Sequence, residues 1–346
     1  MRILIVKLSS LGDVVHAMPV VHDIRAAIPG ALIDWVVEPA FAPLLAAMQG
    51  LDDVITLPLR RWTRAWWSGA VRHEARAFVH RLRGRRYDAI LDLQGLTKSA
   101  LVARLARGTR YGLANRTEGA SHERPARWLV DRAIRIEPHI HAVDRSRELS
   151  AKALGYAVSG PPDCGLADRR APEAASGAPV PAGSSGRRPV VLLIHGSSRD
   201  DKLWPEANWI AFGQRAIAEG WDVAMPQAGA EEAARAARLQ AALGPRASVW
   251  PPLDLGAVIA RMRTVDGAVG VDSGLSHIAV GLGLPHVQLY NHPTSWRTGP
   301  LVSHGHRAQV AIEGRPAPAL DAAWQAWHGV RPSVAPQSRD GLVAHG

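Results

Sequence analysis

Residues 2–7 form an apolar run that stops at Lys7, and a Ser-Ser-Leu-Gly turn follows it. This is the pattern of a short strand buried on both faces. Over residues 13–28 the period changes: Val14, Val15, Met18, Val21 and Ile24 fall on one side of a helix. Residues 31–37 read as a second strand, and the alternation returns as a strand at 88–93 and a helix at 97–106.

Strands alternating with helices predict a parallel sheet covered by helices on both faces. The alternation halts over 171–188, a Pro/Gly/Ser/Ala-rich stretch without periodicity that reads as a linker. It restarts with strands at 189–194, 221–225, 267–271 and 286–290, and helices near 206–219, 230–243 and 275–283. Residues 318–328 suit a last helix, and 331–346 a poorly ordered tail. The expected fold class is therefore α/β, with one domain over 1–170 and a second over 189–330. The cleft between them is the expected binding site.

The chain has 346 residues, of which 47% are hydrophobic, enough for two cores. No apolar run reaches the roughly 18 residues of a membrane-spanning helix. The opening Met1–Lys7 does not read as a signal peptide, because its apolar stretch ends at Lys7 and Asp13 follows. A cytoplasmic protein is expected. The single cysteine, Cys164, excludes an intramolecular disulfide and a cysteine-based zinc site.

Charge changes this picture more than composition does. The net charge is +10, and residues 1–170 hold 26 Lys and Arg against 17 Asp and Glu, whereas 171–346 hold 15 against 14. The first half is expected to meet an anionic partner: nucleic acid, an acidic membrane surface or a phosphorylated substrate. Lysines stand only at 7, 98, 152 and 202 in this arginine-rich chain.

In the second half, Asp272-Ser273-Gly274-Leu275-Ser276-His277 ends a strand and opens a helix. Backbone N–H groups and the positive helix end there suit a diphosphate. Asp272 or Ser273 could equally be an ordinary N-cap. His195-Gly196-Ser197-Ser198 with Lys202 follows another strand and could hold a phosphate, though it lacks the spacing of a Walker A loop and could be a plain polar loop. Glu231 and Glu232 follow the loop 226–229, where a carboxylate can take ribose hydroxyls or simply face solvent.

In the first half, Ser10, Gly12 and Asp13 open a helix. Asp13 could act as a general base or as a cap. Arg60, Arg61 and Arg64 are interleaved with Trp62, Trp66 and Trp67. Such a mixture suits single-stranded nucleic acid, a membrane interface or a solvated surface. His141 and Arg145 belong to a second basic segment. No His-Glu-x-x-His motif occurs among the fifteen histidines, and no metal site is expected.

The segments 7–16, 92–96 and 271–277 together resemble the motifs of the bacterial lipopolysaccharide heptosyltransferases, in order and spacing, across about residues 1–330. The segments 60–62 and 141–145 resemble the type I members, which act first on the inner core. The resemblance implies a GT-B fold: two Rossmann-like domains facing across a cleft, acceptor in the first and ADP-heptose in the second. It implies metal-independent, inverting transfer of L-glycero-D-manno-heptose from ADP-heptose to the 3-deoxy-D-manno-octulosonic acid (Kdo) of Kdo2-lipid A. No cofactor, no nucleic acid, a monomer, and peripheral contact with the cytoplasmic face of the inner membrane of a Gram-negative bacterium are implied as well.

Carried onto this chain, the resemblance makes Asp13 the base. Ser197, Ser198 and Lys202 would stabilise departing ADP, and Asp272 would hold heptose hydroxyls. The backbone at Ser273, Gly274 and Leu275, with His277, would complete the donor site, and Glu231 or Glu232 would take the ribose. Ser10, Gly12, Arg60, Arg61, Arg64, His141 and Arg145 would bind the acceptor. The sequence departs from the family at the loop after strand 286–290, which reads Asn291-His292-Pro293-Thr294 where glycine usually begins it. The alternatives are a relative acting on a core heptose, and a GT-B-like nucleotide-sugar epimerase.

Overall fold

A computed structural model describes residues 1–166, 187–301 and 308–332. The linker expected over 171–188 lies outside these residues except for Arg187 and Arg188, and the tail over 331–346 except for Arg331 and Pro332.

The first sheet comprises β1 (Arg2–Val6), β2 (Leu32–Val37), β3 (Asp53–Thr56), β4 (Arg86–Asp92), β5 (Arg107–Leu113) and β6 (Arg132–Ile134). The second comprises β7 (Val190–Ile194), β8 (Asp222–Met225), β9 (Ala247–Val249), β10 (Gly267–Val271), β11 (His286–Tyr290) and β12 (Gln309–Glu313). The orders are β3-β2-β1-β4-β5-β6 and β12-β11-β10-β7-β8-β9, with the neighbouring strands parallel. Counted within its own half, the second order repeats the first. In both, the order reverses between the first and fourth strands, where a crevice opens beyond the strand C-termini.

The apolar runs explain the central strands. Ile3 to Val6 and Val191 to Ile194 are fully buried, as sheets covered on both faces require. Ile5 is flanked in register by Trp35 on β2 and Leu91 on β4. One apolar cluster runs through both halves, joining Ile5, Val14 and Leu91 to Ile194, Ile259 and Ile278. The far face of the second sheet is filled by Trp204, Trp209, Trp221 and Trp327.

The helix expected over 13–28 is two helices, Leu11–Ala17 and Pro19–Ala27. Pro19 has no N–H to continue the first and is well suited to start the second. The helix Ala142–Leu154 is an addition to the expected elements. Its charged face conceals it in the sequence: Arg147 is buried, donating to both carboxylate oxygens of Asp23 at 2.7 and 2.8 Å.

Candidate active site in the interdomain cleft

The segment after β1 turns directly into the helix Leu11–Ala17 and brings Asp13 to the crevice. One Asp13 oxygen accepts from the Ser10 hydroxyl at 2.8 Å and the Ser10 amide at 3.3 Å, so the residue does cap its helix. The other oxygen faces Lys7 Nζ and an Arg145 guanidinium nitrogen, each at 3.7 Å. Burial raises the carboxyl pKa, but the Lys7 charge, the Ser10 hydrogen bonds and Arg145 outweigh it and hold the group below its ordinary value. Asp13 is thus an ionised acceptor at neutral pH with its side chain still partly open. Lys7 is buried and donates to the Leu93 carbonyl at 3.3 Å, and burial lowers its pKa.

The loop after β4 supports this arrangement. Gln94 Oε1 accepts from the Leu8 amide at 2.8 Å, tying the two loops together. Asp92 is buried beneath them, accepting from the Gln94 and Gly95 amides and lying 3.0 Å from the Ser99 hydroxyl. Burial pushes its pKa up to about 6 despite those bonds and the nearby Lys7.

In the second half, Ser273 caps the helix Gly274–Gly281, accepting from the Ser276 amide at 3.5 Å. Asp272 is left for other work. Its Oδ2 accepts from Lys202 Nζ at 2.6 Å and its Oδ1 lies 3.4 Å from His277 Nε2. Burial acts to raise its pKa, yet His277 and Lys202 hold the carboxyl well below the usual carboxylate range. Ser197 donates to the Asp272 carbonyl at 3.3 Å, while Ser198 is exposed on the same loop.

The two helix starts pack against each other. A Cβ on Gly12 would stand 2.7 Å from His277 Cδ2, and one on Gly274 would stand 2.6 Å from Leu11 Cδ2 and 2.9 Å from Leu11 Cβ. Only glycine allows such an approach. The His16 and His277 rings meet across the seam with centroids 4.3 Å apart, and burial drives His16 strongly toward its neutral form. The resulting cavity of about 340 Å³ is lined from the first half by Lys7, Asp13 and Arg145, and from the second by Lys202, Asp272 and His277. Lys98 and Arg297 also reach it, so cations outnumber carboxylates at a polar site of a size that suits a phosphorylated sugar.

Other expected residues lie elsewhere. Arg60, Arg61 and Arg64 stand exposed on the helix Leu59–Arg64 beyond the edge strand β3, away from the residues lining the cavity. Arg60 pairs with Glu38 at 3.2 Å, and Arg61 with Glu74. His141 caps the helix Ala142–Leu154, accepting from the Val143 amide at 3.2 Å while its Nε2 donates to the Gly299 carbonyl at 3.0 Å. Glu232 packs over Gly196 and accepts from the Ala228 amide at 3.1 Å, with its pKa raised by burial. Glu231 is exposed. That separates two glutamates which sequence alone left equivalent.

The segment 92–99, which the sequence offered as a second wall of the cleft, brings Gln94 and Lys98 to the cavity, whereas Lys7, His16 and Arg297 are among the lining residues that sequence reasoning did not single out. Lys7 carried a signal, since a lysine ending a buried strand in a lysine-poor chain needs a partner. Among the described residues no group of three or more His, Cys, Asp or Glu is arranged to hold a metal ion. Cys164 lies away from this chemistry, its thiol pKa pushed up to about 12 by burial.

The glycosyltransferase family 9 (heptosyltransferase) pattern matches residues 75–318. Lipopolysaccharide heptosyltransferase 1 of Escherichia coli strain K12 is 36% identical over 84% of this chain and 88% of its own length. Among solved structures, E. coli heptosyltransferase WaaC with ADP has a TM-score of 0.80 at 33% identity, covering 94% of this chain and 98% of that one. The same enzyme with ADP-2-deoxy-2-fluoro heptose has a TM-score of 0.75 at 33% identity, covering 91% and 94%. With twin parallel sheets, a shared crevice and these relatives, the chain belongs to glycosyltransferase family 9, the heptosyltransferases.

Proposed function

We propose that this enzyme transfers L-glycero-D-manno-heptose from ADP-heptose to the Kdo of Kdo2-lipid A, with inversion and without a metal ion. The observation that carries this reading is the convergence of Asp13, from the first half, and the Lys202–Asp272 pair, from the second, on one cavity. Relatives named for lipopolysaccharide heptosyl transfer, and a solved relative holding a fluorinated ADP-heptose, support the choice of substrates.

Asp13 takes the proton from an acceptor hydroxyl. The freed oxygen attacks the anomeric carbon from the face opposite ADP, and the bond from that carbon to the diphosphate breaks. Lys202, Ser197, Ser198 and the backbone at Ser273, Gly274 and Leu275 receive the charge that develops on ADP. This supply of positive charge is the argument for metal independence. Asp272 and His277 hold heptose hydroxyls, and Glu232 takes the ribose.

Residues 1–170 form the acceptor domain and 189–330 the donor domain, joined by the linker 171–188. In the acceptor domain Ser10, Gly12 and Arg145 face the reacting sugar. His141 shapes the wall, and Arg60, Arg61 and Arg64 meet the outlying carboxylates and phosphates of the glycolipid. The enzyme is a monomer that works at the cytoplasmic face of the inner membrane as a peripheral protein. No helix among the described residues is long and apolar enough to cross a membrane.

The test is ADP release from ADP-heptose, with and without de-O-acylated Kdo2-lipid A. Acceptor-dependent release is expected. Release only with a core already bearing heptose would assign the later transfer instead, and formation of a different sugar nucleotide without acceptor would assign an epimerase.

A further inference from the structure

β11 ends at Tyr290, and Asn291 stands at its C-terminal edge, 7% exposed. Its Nδ2 donates to the Asp201 carbonyl at 3.0 Å and to the Leu203 carbonyl at 2.9 Å. Those two residues bracket Lys202. Both partners are acceptors, so only the amide nitrogen can face them, and the orientation of the side chain is set by chemistry.

Lys202 ends a single 3₁₀ turn, Asp200–Lys202. One such turn has little cohesion of its own. Its backbone bonds are local, from the Lys202 amide to the Arg199 carbonyl and from the Leu203 amide to the Asp200 carbonyl. Besides the bond from Lys202 itself to Asp272, anchors from outside the turn come from Asn291, and from His292, whose Nε2 lies 3.2 Å from an exposed Asp201 oxygen. The buried, two-pronged contact is the one from Asn291.

We propose that Asn291 is a positioning residue for Lys202. By clasping the peptide carbonyls on either side, it fixes where the lysine stem starts and holds the ammonium over Asp272, facing the departing diphosphate. Lysine brings a point charge on a flexible stem and cannot fix its own origin. A displacement of about 1 Å at such a group can cost up to about a hundredfold in rate. This inference rests on the role given to Lys202 above.

The experiment is a double-mutant cycle on kcat and on ADP affinity, using Asn291→Ala, Lys202→Ala and the double variant, with melting curves to verify folding. Asn291→Ala is expected to lower kcat about tenfold or more and to weaken ADP binding, with the acceptor KM nearly unchanged. In the Lys202→Ala background the same change should cost almost nothing, because the group it positions is gone. An equal fold-loss in both backgrounds, or no loss in the native one, would overturn the positioning role and leave the role of Lys202 standing. A fully active Lys202→Ala enzyme would instead remove the reading on which it rests. Asn291→Ser, which retains one hydroxyl donor, should recover part of the loss. If Asn291→Ala does not fold, the cycle run with Asn291→Ser decides by the same criterion.

Discussion

The Lys202 ammonium rests 2.6 Å from Asp272 Oδ2, and His277 approaches the carboxylate's other oxygen. On the proposed reading, the cation that receives the diphosphate is thus already oriented by a carboxylate before the donor arrives. Preorganisation of this kind saves the cost of aligning charge during the reaction. Lys202→Ala is expected to lower turnover about a hundredfold or more, the scale for loss of one preorganised donor. The acceptor KM should scarcely move. Steady-state kinetics with each substrate varied will check this, and a change confined to acceptor affinity would contradict it.

Asp13→Ala should lower kcat by about 10²–10⁴, the range for loss of a positioned general base. ADP-heptose affinity, read by equilibrium binding, should be nearly unchanged because the proposed function puts the residue on the acceptor side. An Asp13→Ala enzyme of native activity would end its assignment as the base.

Gly12 and Gly274 set how closely the halves approach. Gly12→Ala pushes on a ring of His277, whereas Gly274→Ala meets Leu11 down to its Cβ, where there is less freedom to move. Both should lower turnover, Gly274→Ala more, with a stability loss of about 1–3 kcal/mol typical of overpacking. Small-angle scattering should show a wider particle for Gly274→Ala. An unchanged profile with native kinetics would show that the seam yields easily.

Asp92 makes a prediction about pH. Its pKa is raised to about 6, above the ordinary aspartate value. Below about pH 3 it is protonated in folded and unfolded chains alike. As pH rises toward 6, the unfolded chain loses that proton first, so this group's contribution to stability falls, and above 6 it levels off. The difference in unfolding free energy between native protein and Asp92→Asn should therefore drop by about 3 kcal/mol from pH 3 to 7. Urea denaturation across that range measures it, and a constant difference would refute the raised pKa.

Activity should survive EDTA if, as proposed, Lys202 and the start of the helix Gly274–Gly281 supply the positive charge for ADP. Loss of activity with EDTA, restored by Mg²⁺, would refute metal independence.

Much of this was legible in the chain, because buried parallel strands write themselves as apolar runs. β1, β10 and β11 stand within a residue of where their patterns place them. The crevice loops followed from those strand ends. What was not legible depends on contacts between distant segments. The short edge strands β3, β6 and β9 have little apolar signal, and the helix Ala142–Leu154 hides its buried face behind Arg147 and its partner Asp23. Nothing local separates Glu231 from Glu232; Gly196, far away in the chain, does. Lys7 gains its meaning only once the fold sets it against Asp13.

The repeated strand order has a consequence for how this molecule can change. Each half brings the ends of its first and fourth strands to the crevice, so most of the chemistry is written in four short segments, with Arg145 and Arg297 reaching in from elsewhere. The outer strands β3, β6, β9 and β12 serve as scaffolding at the margins. Length changes at those margins should be absorbed without reaching the cavity. On the proposed assignment, a donor half borrowed from a relative should work with this acceptor half as long as Leu11, Gly12, Gly274, His277 and the shared apolar cluster still fit. Specificity for the two substrates can then drift separately, with the seam and the apolar cluster shared by the halves as the joint constraint.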